Sequence, residues 1–81
     1  MSIRVLYFAA LAEQVGCRSE EVESGAATAG ALAEELRCRG EPWASAFDNR
    51  IRIAINQHLA EAGDAIRDGD EIAFFPPVTG G

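Results

Sequence analysis

Short, largely apolar runs lie near both ends of the chain, apolar residues recur at period two at 51–55, and between the first run and that one the apolar spacing lengthens to a helical one. Residues 3–9 (IRVLYFA) are rich in β-branched and aromatic side chains, which predicts a first strand. The short polar run at 20–24 (EEVES) suits an edge strand paired with it, and the stretch between reads as a loop with a brief helical turn at 9–15. Thr28 is placed to cap a helix running to about Arg39, with Gly40 ending it. Ala29, Leu32, Ala33 and Leu36 give that helix one apolar stripe. Glu34, Glu35, Arg37 and Arg39 fall on its wet side, with Glu35 and Arg39 spaced for an i,i+4 pair.

After Pro42 comes an apolar turn, WASAF, in which Trp43 and Phe47 fold under the sheet. Ile51, Ile53 and Ile55 recur at period two and predict a strand with one buried face. Residues 58–61 read as a further short strand, and 67–70 as a turn in which Gly69 takes positive φ. Residues 71–75 are the last strand. The order β-β-α-β-(β)-β predicts an α+β fold, a mixed β-sheet packed on one main helix that covers only one of its faces.

Both terminal strands are apolar on both faces. The first carries Ile3, Val5 and Tyr7 on one side but Leu6 and Phe8 on the other; the last carries Ile72 and Phe74 opposed to Ala73 and Phe75. Such strands belong in the middle of a two-sided core, yet there is only one good helix to supply cover. Unless the WASAF turn or a loop closes it, the second face is left as an interaction surface.

Composition narrows the classes. Eighty-one residues with 48% apolar content form one small domain with a single core and little room for an enclosed catalytic pocket. Thirteen acids against seven arginines give a net charge of −6, which disfavours nucleic acid and suits a basic partner surface. Lysine is absent, so the chain has no nucleophilic side-chain amine; arginine supplies none because its guanidinium stays protonated. Cys17 and Cys38 lie far apart and His58 has no companion at ligand spacing, so no metal site is expected. The cysteines read as free thiols, with a disulfide between them as the alternative. The N-terminal stretch reads as a strand rather than a signal peptide, and no segment approaches the roughly 20 apolar residues of a membrane span. A cytoplasmic protein with no membrane partner is expected.

The chain ends in FFPPVTGG, residues 74–81: a strand, a stiff spacer and a thin tip. Pro76 and Pro77 fix φ and favour an extended run, and Gly80 and Gly81 lack the Cβ atoms that would bar a narrow channel. Residues 1–75 thus form the domain, and 76–81 a tail that spans at most about 20 Å.

The block DGDEIAFFPPVTGG (68–81), the opening IRVLYFA, the leucine-containing helix, the Ile55-Asn56-Gln57 segment and the length together resemble the small, sulfur-carrier subunits of molybdopterin synthase. The resemblance spans the whole chain and implies the ubiquitin-like β-grasp fold. It further implies that Gly81 is adenylated by an ATP-dependent activating enzyme, converted to a thiocarboxylate by a sulfur-transfer protein, and inserted into the large synthase subunit. There the sulfur enters the molybdopterin dithiolene, as part of molybdenum cofactor biosynthesis in a heterotetramer. The chain would bind no cofactor of its own, ATP being used by the activating partner, and would be a sulfur donor with catalysis mainly on the large subunit. By the same resemblance Phe8, Leu59 and Phe75 dock against that subunit, with Pro76, Pro77, Val78, Thr79 and Gly80 as its further contacts. Sulfur delivery to thiamine thiazole or a tungsten-type cofactor, and ubiquitin-like modification of other proteins, are the alternatives the Gly-Gly ending leaves open.

Overall fold

A computed structural model describes residues 1–48 and 50–77. Five strands form one sheet: β1 (Ser2–Tyr7), β2 (Ser19–Glu23), β3 (Arg52–Ile55), β4 (His58–Ala60) and β5 (Glu71–Phe75), in the order β2-β1-β5-β3-β4. The central pair β1–β5 is parallel and the other pairings are antiparallel, so the sheet is mixed. The period-two isoleucines and the apolar terminal strands place the strands as the sequence predicts, and β1 and β5 take the buried centre.

Among the described residues there are three helices: α1 (Ala9–Val15), α2 (Ala29–Arg37) and the single turn α3 (Trp43–Ala46). Their buried residues, with Leu11, Val15, Leu32, Leu36 and Phe47 the largest, join Ile3, Val5, Tyr7, Ile53, Ile72 and Phe74 in one core on one side of the sheet. Phe47 packs edge-on against Phe74, with ring centroids 4.9 Å apart, and against Tyr7. The WASAF turn therefore adds to the helix-side core and leaves the second face open.

Two local expectations change. Residues 9–15 form a full helix, because Leu11 and Val15 stand one turn apart and both bury, and Gly16 ends it at φ +85° with its N–H on the Ala12 carbonyl. The Glu35–Arg39 pair does not form. Helix α2 stops at Arg37, so Arg39 leaves helical spacing and bonds Glu20 at 2.9 Å, while Glu35 accepts from the Ser24 hydroxyl.

The start of α2 is held by more than its cap. Thr28 Oγ1 accepts from Ala31 N–H at 3.1 Å. The N–H groups of Ala29 and Gly30, unsatisfied within the helix, donate to the carbonyls of Asp64 and Ala62 at 3.0 and 2.8 Å. Segment 61–66 thus lies directly on the helix end, so close that a Cβ on Gly30 would stand 2.8 Å from the Ala62 Cβ.

The residues of the IAINQ and DGDE stretches are scaffolding. Asn56 and Gln57, at φ +50° and +73°, make the two-residue turn of the β3–β4 hairpin. The Asn56 side chain accepts from Glu71 N–H at 3.0 Å and donates to Asp70 at 3.1 Å, while Asp70 accepts from Arg67 N–H at 2.8 Å. These bonds hold Asp70 well below the usual carboxylate range, the Asn56 bond first and the Arg67 N–H next. They tie the hairpin turn to the start of β5, at the end of the sheet opposite the tail.

Candidate docking face and tail

Inward residues of each strand feed the core, so register alone fixes what the other face shows. Leu6 pairs with Ala73, Ala73 with Ala54 and Ala54 with Leu59, giving one apolar row across four strands. One step toward the tail, Phe75 pairs with Arg52, and Phe8 follows β1 with its N–H on the Phe74 carbonyl at 3.1 Å. Phe8 is 49% and Leu59 73% exposed; Phe75, Pro76 and Pro77 are half-buried. Phe8, Leu59 and Phe75, the residues expected to dock, therefore share one uncovered face, and β5 leads from that face to Pro76 and Pro77. Val78, Thr79, Gly80 and Gly81 lie outside the described residues.

A shallow groove of about 560 Å³ borders the face, lined by Leu6, Phe8, Ala12, Arg18 and Ser19 among others. Another of about 550 Å³ lies on the helix side between α2, α3 and β3, away from the tail. Neither is enclosed, and among the described residues no group of three His, Cys, Asp or Glu side chains converges as metal ligands do.

At the tail end of the sheet, beneath this face, a polar network joins three elements. Tyr7 donates to Glu20 Oε2 at 2.7 Å, Arg39 donates to the same oxygen at 2.9 Å, and Trp43 Nε1 donates to the Tyr7 oxygen at 3.3 Å. The Arg39 guanidinium sits 4.9 Å from the centre of the Trp43 ring. Burial, reinforced by the Glu20 bond, pushes the Tyr7 phenol far above its usual range, so it remains a donor. Burial alone would raise Glu20, but the bonds from Arg39 and Tyr7 with the Arg39 charge outweigh it and hold the carboxyl low. Cys17, next to this network, is pushed up by burial and then by the Glu20 charge, which makes it a poor nucleophile; it and Cys38 are free thiols. Each polar group here answers another, and the arrangement braces the fold beneath the docking face rather than offering a general base.

The family profile described as the ThiS family matches residues 5–81. The chain belongs to the ThiS family. Among its relatives is the molybdopterin synthase sulfur carrier subunit of Haemophilus influenzae, 45% identical over 98% of this chain and 99% of that one. The crystal structure of small archaeal modifier protein 1 from Haloferax volcanii is 34% identical, with a TM-score of 0.72 over the full length of both chains. A chain from the complex of subunits 1 and 2 of molybdopterin-converting factor from Helicobacter pylori is 26% identical, with a TM-score of 0.71 over all of both chains. The ThiS-family assignment accords with the β-grasp sheet described above, and full-length coverage leaves no further domain of these relatives unmatched. Sequence reasoning found Phe8 and Phe75 from the doubly apolar strands, whereas Leu59 came only from the resemblance. That Arg18 and Arg52 stand at the edges of the patch without an acid partner is legible only in the fold.

Proposed function

We propose that this chain is the sulfur-carrier subunit of a molybdopterin synthase, working in the cytoplasm. The observation that carries the reading is the continuity of an exposed apolar face with β5 and the PPVTGG tail, in a chain that matches named carriers over its whole length. Its partners are the large synthase subunit, an ATP-dependent activating enzyme and a sulfur-transfer protein.

The chemistry explains the architecture. A carboxylate is a poor electrophile, since its charge repels nucleophiles and it has no good leaving group. Attack by Gly81 on the α-phosphorus of ATP expels pyrophosphate and gives an acyl adenylate. Sulfide delivered by the sulfur-transfer protein then attacks the acyl carbon, expels AMP and leaves a thiocarboxylate, a nucleophile carried on a covalent arm. Pro76 and Pro77 stiffen that arm, which lowers the entropy lost on insertion. The domain supplies binding energy through Phe8, Leu59 and Phe75, while Val78, Thr79 and Gly80 line the way into the partner. Tethering raises the local concentration of the reacting sulfur. ATP is bound by the activating enzyme, and catalysis rests mainly with the large subunit.

The test is intact mass after incubation with the activating enzyme, ATP and a sulfur source, followed by transfer to the cognate large subunit supplied with its pterin precursor. The expected result is one oxygen-for-sulfur exchange at the terminus and dithiolene formation. Deleting Gly81 should abolish both while leaving the melting temperature nearly unchanged. Isopeptide adducts on other proteins, with no thiocarboxylate form, would replace the carrier reading with that of a modifier.

A further inference from the structure

Four of the seven arginines are answered by an acid. Arg4 meets Glu21 at 3.6 Å, Arg37 meets Glu34 at 3.2 Å, Arg39 meets Glu20 at 2.9 Å and Arg50 meets Asp48 at 3.1 Å. Among the described residues, Arg18, Arg52 and Arg67 have no such partner. Two of these three flank the aromatic patch at the base of the tail. Arg52 stands opposite Phe75 in the β3–β5 register, on the face away from buried Ile53. Arg18, on the other side, lines the groove with Leu6 and Phe8. The acids of this face, Glu21, Glu23 and Glu71, belong to rows nearer the opposite end of the sheet. Glu13 also lines that groove but makes no ion pair with Arg18 among the described residues, so in a chain of net charge −6 these two arginines at the tail end stand unanswered.

The geometry points to a bracketed docking site, in which Arg18 and Arg52 select a partner that presents carboxylates on both flanks of an apolar contact. The occupant is the large subunit of the reading above, on which this inference rests. In water an unpaired arginine keeps its hydration at little cost. Once covered it loses that hydration, so an apolar partner without an acid would bury an uncompensated charge. A partner carboxylate instead accepts short, charge-assisted bonds from the guanidinium fork. The apolar centre supplies contact area, and the two arginines set orientation and reject surfaces lacking acids at those places. Opposite charge also speeds encounter.

Calorimetric titration of the full chain against the cognate large subunit tests this. Both arginines are exposed and make no side-chain bond among the described residues, so the variants should melt with the wild type. Arg18→Glu and Arg52→Glu are each expected to weaken binding about tenfold or more, with Arg18→Gln and Arg52→Gln between them and wild type. Arg67→Glu, at the other end of the sheet, should stay within about twofold. Added salt should weaken the wild-type complex more than that of the double glutamine variant. Wild-type affinity in both charge reversals, or tighter binding by either, would overturn the bracket while leaving the carrier reading intact. Failure of the wild-type chain to bind would remove that reading and this inference together.

Discussion

Glu20 gathers Tyr7 of β1 and Arg39 beyond α2 on one carboxylate oxygen, so its protonation has a larger consequence than that of most surface acids. Its folded pKa lies below the ordinary 4.5, because the bonds from Arg39 and Tyr7 outweigh burial. A depressed acid contributes stability that is fully present above its unfolded pKa and is lost as pH falls through the folded value. The neutral, nearly isosteric Glu20→Gln lacks that contribution at every pH. It should cost about 1–2 kcal/mol near neutrality, since bonds to a partly buried charge are replaced by weaker ones. The gap should then close as pH drops below about 4.5. Melting temperatures of both proteins between neutral pH and about pH 3 would check this, and a constant gap would mean the pair with Arg39 is not what the acid contributes.

At the scale of elements, α2 is anchored by backbone carbonyls that no side-chain code announces. Thr28 was legible as its cap, but the carbonyls of Ala62 and Asp64, which accept from Gly30 and Ala29, were not. The sequence assigns no element to residues 62–66, because their contribution is made by main-chain atoms. Helix α1 was half legible for a different reason: its seven residues hold two apolar anchors, too few for a periodicity to stand out before packing selects it. The strands were plain, since β-branched residues at period two say both what they are and which side they bury. Gly30 tests the anchoring. In an isolated helix Gly30→Ala would gain about 1 kcal/mol. Here the new Cβ meets the Ala62 Cβ at 2.8 Å and its carbonyl oxygen at 3.0 Å, and relief would stretch the Gly30–Ala62 hydrogen bond. The substitution should therefore destabilise by about 1–2 kcal/mol, with partial recovery in the double variant with Ala62→Gly, because only the shorter contact is relieved. Chemical denaturation of Gly30→Ala, Ala62→Gly and the double variant measures both effects, and stabilisation by Gly30→Ala alone would show that 61–66 yields freely.

For the whole molecule, the strand directions set what the activated tail can meet. Strands β1 and β5 run parallel, so the tail leaves the sheet at the end remote from Met1, whose ammonium stands 3.9 Å from Glu23. Near the tail's base the exposed cations, Arg18 and Arg52, are arginines, and the whole sequence contains no lysine. An acyl adenylate is attacked by any unprotonated amine, forming an amide and releasing AMP; a guanidinium stays protonated and does not compete. The Cys17 thiol, held protonated by burial and by the Glu20 charge, is disarmed in a second way. Where the terminus is activated as proposed above, this composition keeps it from spending itself on its own domain before sulfur arrives. Arg52→Lys places an amine opposite Phe75 without changing the charge at neutral pH. With the activating enzyme and ATP but no sulfur source, this variant should accumulate self-linked species, either a chain lighter by one water or a covalent dimer. The yield should rise as pH climbs toward the ordinary lysine pKa of about 10.4, because the free amine is the attacking form. The wild type should release pyrophosphate at a similar rate and form no side-chain adduct. Equal adduct formation by both proteins on denaturing gels would mean that the missing lysines protect nothing.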